Sequence, residues 1–100
     1  MVRRISILGV TGSIGQSTLK ILREVEKPED LQIVALSADT NIELLARNAI
    51  EFNAEYAVVS NVSKFNELKS LLSGSATKAL AGTQELIELA KLRVDWTMSA

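Results

Sequence analysis

ILGVTGSIGQSTLKIL, residues 7–22, runs from an apolar stretch through Gly9, Gly12 and Gly15 into a helical pattern. Ile5-Ser6-Ile7-Leu8 is short and β-branched, which predicts a buried strand. From Ile14 on, Ile14, Thr18, Ile21, Leu22 and Val25 recur with the period of an amphipathic helix, and Leu19 widens the stripe. That helix has to stop before Pro28, which lacks an amide hydrogen and restricts the residue ahead of it. A glycine motif acquires meaning in this setting, between a strand and the helix that follows it.

Each glycine has a separate expected task. Gly9 supplies the tight turn out of the strand, Gly12 lets backbone approach a phosphate, and Gly15 permits close contact between helix and sheet. The first-turn amides near Ser13 and Ile14 then point at an anion, and the helix dipole adds roughly 0.3–1 kcal/mol. A charge-assisted hydrogen bond from the Thr11 or Ser13 hydroxyl adds about 1.5–3 kcal/mol. The spacing Gly-x-x-Gly-x-x-Gly is one residue longer than the commonest dinucleotide fingerprint. No Gly-Lys-Ser/Thr follows, which argues against a P-loop and nucleoside triphosphate hydrolysis. The plain alternative is a tight strand–helix connection with no ligand.

Outward from this loop the pattern repeats. Leu31 to Ser37 is nearly continuous in apolar residues and predicts a strand buried on both faces, as in a parallel sheet. Ile42, Leu45, Ala46, Ala49 and Ile50 form one helical face, with Thr40 as N-cap and Glu43 reaching back in a capping box. Tyr56 to Ser60 is a third strand. Asn61 to Leu72 is a third helix, capped by Asn61 or Ser63, with Phe65, Leu68 and Leu72 inward and Gly74 marking its end. Residues 77–82 make a weak fourth strand, 83–92 a short helix with Leu86, Leu89 and Ala90 on one face, and 94–100 a fifth strand in which Trp96 and Met98 belong to the core. This alternation predicts an α/β, Rossmann-like, doubly wound fold: a mostly parallel sheet with helices on both faces. The chain stops on an apolar strand where a covering helix normally follows. Residues 1–100 are therefore expected to be the N-terminal part of an NAD(P)-binding Rossmann-like domain, truncated, with catalytic and C-terminal domains absent.

Composition narrows the function classes. Eleven Lys and Arg against twelve Asp and Glu give a net charge of −1, no footprint for nucleic acid or an anionic membrane. Hydrophobic residues at 47% fit a packed core. There is no Cys and no His, which removes disulfides, thiol nucleophiles and the usual zinc ligands. Glu24, Glu26, Glu29 and Asp30 crowd the turn at Pro28 as a solvated surface, not a metal site. The apolar stretch at the N-terminus is too short for a signal peptide, and nothing approaches the roughly 18 apolar residues of a membrane span. These features predict a cytoplasmic protein, and make Asn61-Val62-Ser63 a helix cap, not a glycosylation site.

Taken together, Gly9, Thr11, Gly12, Ser13, Ile14 and Gly15, followed by Ser17, Thr18 and Leu19, resemble the N-terminal signature of the 1-deoxy-D-xylulose 5-phosphate reductoisomerase family. The similarity continues through IVALSADTN, EFNAEYAVVS and the closing VDWTMSA, in order along the chain. The resemblance implies an enzyme that converts 1-deoxy-D-xylulose 5-phosphate, a phosphorylated sugar, to 2-C-methyl-D-erythritol 4-phosphate in the non-mevalonate isoprenoid pathway. It implies NADPH, a divalent metal (Mg²⁺ or Mn²⁺) and a homodimer. By position it implies cofactor contacts from Gly9, Thr11, Gly12, Ser13, Ile14, Thr40 and Asn41, with Ser99 and Ala100 toward the nicotinamide half. It places the metal ligands, the substrate-phosphate site and every catalytic group beyond residue 100. The alternatives are another NAD(P)-dependent enzyme, such as a semialdehyde or homoserine dehydrogenase, and a non-enzymatic dinucleotide-binding module.

One departure from the family concerns cofactor choice. An acid at the end of the second strand in dinucleotide folds takes ribose hydroxyls and favours NAD, and Asp39 stands there. The family often has Gly-Lys-Asn or Gly-Arg-Asn where this chain has Asp39-Thr40-Asn41. A carboxylate facing a 2′-phosphate is repelled by about 4 kcal/mol per charge pair at roughly 4 Å and an effective dielectric of about 20. The expectation is that Asp39 points away while Thr40 and Asn41 donate hydrogen bonds.

Overall fold

The computed structural model describes residues 2–24, 27–84, 88 and 94–99. Its strands are β1 (Arg3–Leu8), β2 (Leu31–Ala38), β3 (Tyr56–Val59), β4 (Lys78–Ala81) and β5 (Trp96–Ser99), and its helices are α1 (Ser13–Leu22), α2 (Ile42–Glu51) and α3 (Phe65–Leu71). All the strand pairs are parallel, in the order β4-β3-β2-β1-β5. The expected parallel α/β architecture is therefore present.

Burial explains why the chain alternates as it does. Ile33 to Ala38 of β2 are all buried, as their nearly continuous apolar run requires of a central strand. Ile5, Ile7, Ile33 and Leu36 meet Leu19 of α1, Leu45 and Ala49 of α2, Leu68 of α3 and Leu72 at its C-cap in one core. Each large aliphatic side chain buried there contributes about 1.5–3 kcal/mol. The opposite face carries a smaller cluster of Val34, Ala35 and Val58, with Tyr56, Leu80 and Val94 packed on it. β5 pairs with β1 on the side away from β2. The helix expected over 83–92 falls mostly outside the described residues, as do Ala100 and the Trp96 side chain.

Between Ile5 and Ser6 the β1–β2 register slips, from Ile5 opposite Ile33 to Ser6 opposite Ala35. Val34 is the extra residue of this bulge, so Val34 and Ala35 both belong to the smaller cluster. The start of β5 is tied to β1 by a reciprocal pair: the Arg4 amide donates to Asp95 Oδ2 at 2.8 Å and the Asp95 amide donates to the Arg4 carbonyl at 2.8 Å.

Several sequence expectations need correction. α1 does not bury the stripe Ile14–Thr18–Ile21: Ile14 is 60% and Ile21 69% exposed, while Gly15 and Leu19 are buried. The helical period holds but the buried face is rotated from the isoleucines, because Gly15 carries no hydrophobic weight yet marks the line of closest approach. α1 does stop before Pro28, at Leu22, and a short 3₁₀ turn over Pro28–Asp30 leads into β2. In α2 the N-cap is Asn41, not Thr40: Asn41 Oδ1 accepts from the Leu44 amide at 3.3 Å. Asn caps at least as well as Thr, and moving the cap by one residue removes the capping box with Glu43. Ile50 is 48% exposed and lies off the buried face of α2. The third helical segment opens as a 3₁₀ turn over Val62–Lys64 capped by Asn61, whose Oδ1 accepts from the Ser63 amide and hydroxyl, before α3 begins.

Candidate functional site

In a parallel sheet every strand ends on the same edge, and ligands lie where the strand order reverses. Here β1 has β2 on one side and β5 on the other, so the reversal is at β1. The carboxyl end of β1 opens into Gly9 to Gly12, and the carboxyl end of β2 opens into Asp39 to Asn41. The fold therefore places Gly9, Thr11, Gly12, Ser13 and Ile14, and also Thr40 and Asn41, on one edge of the sheet. Ser99 closes β5 on that same edge.

The three glycines differ physically. Gly9 has φ 73°, in the left-handed region that side chains disfavour, and so makes the turn out of β1. Gly15 allows contact: a Cβ there would stand 2.5 Å from the Val10 carbonyl oxygen and 2.6 Å from Val10 Cα. That contact is with the loop itself, closer to the turn than the helix–sheet packing expected. Gly12 is the N-cap of α1 with φ −75° and ψ 172°, a conformation open to any residue. A Cβ on Gly12 would come no nearer than 3.6 Å, to the Gly9 carbonyl oxygen, which is ordinary contact. The protein's own packing thus leaves space in front of Gly12, and among the described residues no side chain caps the first-turn amides of α1. An uncapped helix start behind a backbone with no side chain suits an anion.

Three polar residues outside the expected set hold this loop and the helix it leads into. The buried Ser37 of β2 accepts the Gly9 amide on Oγ at 3.0 Å and the Val10 amide on its carbonyl at 2.8 Å. Gln16 Nε2 donates to the Val10 carbonyl at 2.9 Å. Thr18 Oγ1 donates to the Ile14 carbonyl at 3.0 Å and lies 3.1 Å from Met98 Sδ, linking α1 to β5. Ser37 had a legible signal, one hydroxyl in an otherwise apolar strand. Gln16 had none.

At the β2 end, Asp39 is exposed and its carboxylate is engaged: Ser60 Oγ, just past β3, donates to Asp39 Oδ1 at 2.9 Å. The Asn61 amide also donates to the Asp39 carbonyl at 3.3 Å. The Asn41 side chain uses its oxygen on the α2 cap, which leaves its NH₂ as a donor. Thr40 is exposed, with its carbonyl accepting from the Ile42 amide at 2.8 Å. Among the described residues no cluster of three or more acidic side chains could hold a metal. No helix there is long and apolar enough to cross a membrane.

The comparisons agree with this geometry. A protein from Ruegeria sp. (strain TM1040), a 1-deoxy-D-xylulose 5-phosphate reductoisomerase, is 44% identical over 98 residues, covering 98% of this chain and 24% of its own length. The Bradyrhizobium diazoefficiens protein of the same description is 43% identical over 99 residues, with 99% and 24% covered. Among solved structures, the Zymomonas mobilis reductoisomerase in complex with NADPH superposes with a TM-score of 0.90 at 42% identity, over 97% of this chain and 25% of that one. A DOX-P reductoisomerase in complex with NADPH, fosmidomycin and magnesium superposes at 0.84 with 33% identity, over 96% and 24%. The chain thus spans about a quarter of the length of the relatives it matches. The family model for 1-deoxy-D-xylulose 5-phosphate reductoisomerase matches residues 5–100, and the chain belongs to that family.

Proposed function

We propose that residues 1–100 form the N-terminal part of the NADPH-binding domain of an enzyme that converts 1-deoxy-D-xylulose 5-phosphate to 2-C-methyl-D-erythritol 4-phosphate. The carrying observation is the uncapped start of α1 behind Gly12, in a chain that belongs to this family. The solved neighbour with NADPH supports the cofactor, and the neighbour with fosmidomycin and magnesium supports a small phosphorylated substrate and a divalent metal.

In this reading the chain's own residues bind and orient. Thr11, Gly12, Ser13 and Ile14 offer backbone amides and two hydroxyls to the cofactor's phosphates, on a loop fixed by Gly9 and Ser37. Thr40 and Asn41 offer donors to the adenosine end, at the start of α2 where the helix dipole favours an anion. When bound, NADPH supplies the hydride. The metal, Mg²⁺ or Mn²⁺, belongs with residues beyond this segment, and so do the catalytic groups. The whole protein acts as a homodimer in the cytoplasm, with no nucleic-acid or membrane partner.

Turnover tests the reading directly. The full-length protein with 1-deoxy-D-xylulose 5-phosphate, NADPH and Mg²⁺ should oxidise NADPH, and the first 100 residues alone should not. Absence of substrate-dependent NADPH oxidation by the full-length protein would overturn it and leave a dinucleotide-binding module.

A further inference from the structure

Asp39 occupies the position after β2 where an acid ordinarily selects NAD by binding ribose hydroxyls. The solved neighbour at 42% identity carries NADPH, whose extra phosphate that acid would repel. The structure offers a reconciliation in Ser60. Its hydroxyl donates to Asp39 Oδ1 at 2.9 Å and lies 3.5 Å from the Asp39 carbonyl oxygen. The backbone around the pair is fixed as well: the Ser60 amide donates to the Ala38 carbonyl at 3.0 Å and the Asn61 amide to the Asp39 carbonyl at 3.3 Å. The two loops are thus laced together, and the carboxylate is drawn along the sheet edge toward the end of β3.

We infer that Ser60 is a specificity-determining residue, which parks the Asp39 carboxylate against β3 so that the β2 edge accepts a 2′-phosphate. Ser60 acts through Asp39 and is a positioning residue, not a catalytic one. The inference rests on the NADPH reading above and deepens it. It also explains how an acid at the NAD-selecting position is compatible with a family whose solved members bind NADPH. The donors left facing the ligand are then those of Thr40 and Asn41, with the parked acid held by a neutral hydroxyl.

The test is calorimetric binding of NADPH and NADH, and of adenosine 2′,5′-bisphosphate against AMP, to the full-length protein. Ser60→Ala should weaken NADPH and the bisphosphate about tenfold and change NADH and AMP by less than about twofold. Ser60→Thr, which keeps the hydroxyl, should retain the original ratio. Adding Asp39→Asn to Ser60→Ala should restore NADPH binding, and Asp39→Asn alone should raise it by less than about threefold, because a parked charge repels little. An unchanged NADPH-to-NADH ratio in Ser60→Ala, or a gain of about tenfold or more from Asp39→Asn alone, overturns the inference while leaving the cofactor reading intact. If the unsubstituted protein binds neither dinucleotide, the cofactor reading fails first and this inference with it.

Discussion

Gly15 and Val10 meet so closely that a Cβ on Gly15 would lie 2.5 Å from the Val10 carbonyl oxygen. The obstructing atoms are all backbone, so no side chain can swing aside. Gly15→Ala should therefore cost about 1–3 kcal/mol as an overpacked contact. The denaturant midpoint, followed by circular dichroism, should fall accordingly, and an unchanged midpoint would show that the loop yields freely.

Gly12 should behave in the opposite way. Its φ of −75° suits any residue, and a Cβ would make only ordinary contact at 3.6 Å. Gly12→Ala should leave stability within about 1 kcal/mol, since a poorer N-cap is offset by a stiffer unfolded chain. NADPH should nonetheless bind at least about tenfold more weakly, because the added methyl occupies the phosphate's approach. Equal NADPH affinity in Gly12→Ala and the unsubstituted protein would reduce the glycine to a connector.

The contrast between these glycines shows what the sequence can and cannot carry. Spacing between a strand and a helix was enough to find the loop, and continuous apolar character was enough to place β2 in the sheet's interior. Which side of α1 is buried was not legible from hydrophobic weight, since the deciding residue, Gly15, has none and the two isoleucines that suggested the face are exposed. Thr40-Asn41 offered two adjacent cap residues, and only the backbone turn settles that Asn41 takes the role. Ser60 and Asp39 lie far apart in sequence and meet because β2 and β3 are parallel neighbours, so their contact exists only in the folded sheet.

Ser37 fixes the loop by two different atoms, and a mutation can separate them. Ser37→Ala removes the acceptor for the Gly9 amide but keeps the carbonyl that accepts from Val10. The loss should be about 1 kcal/mol, the net value of one hydrogen bond. Hydrogen exchange should accelerate at Gly9 while Val10 stays protected, and NADPH binding should weaken in parallel. Equal protection of both amides in the variant would show that Ser37 Oγ contributes nothing to the loop's position.

The ends of α1 and α2 are joined by Arg23 and Glu51 in a two-pronged contact, Nε to Oε2 and, at 2.8 Å, Nη2 to Oε1, with the guanidinium also 5.6 Å from the Phe52 ring centroid. The hydrogen bond from Arg23, with its charge, holds the Glu51 carboxyl below the usual glutamate range, and the same bond raises Arg23. A carboxylate with a depressed folded value contributes stability that is full above its unfolded value and is lost as pH falls through the folded one. The raised Arg23 works at the other end of the scale, above the working range of the protein. Both side chains are about 40% exposed, at 40% and 39%, so solvent screening limits the pair to about 0.5 kcal/mol. Stability should therefore decline by that amount as pH drops below the ordinary glutamate range, and Glu51→Gln should remove this part of the profile. Because the pair is exposed, added salt should shrink the difference between the two proteins. Parallel pH profiles for Glu51→Gln and the unsubstituted protein would show that the contact is too loosely held to stabilise the fold.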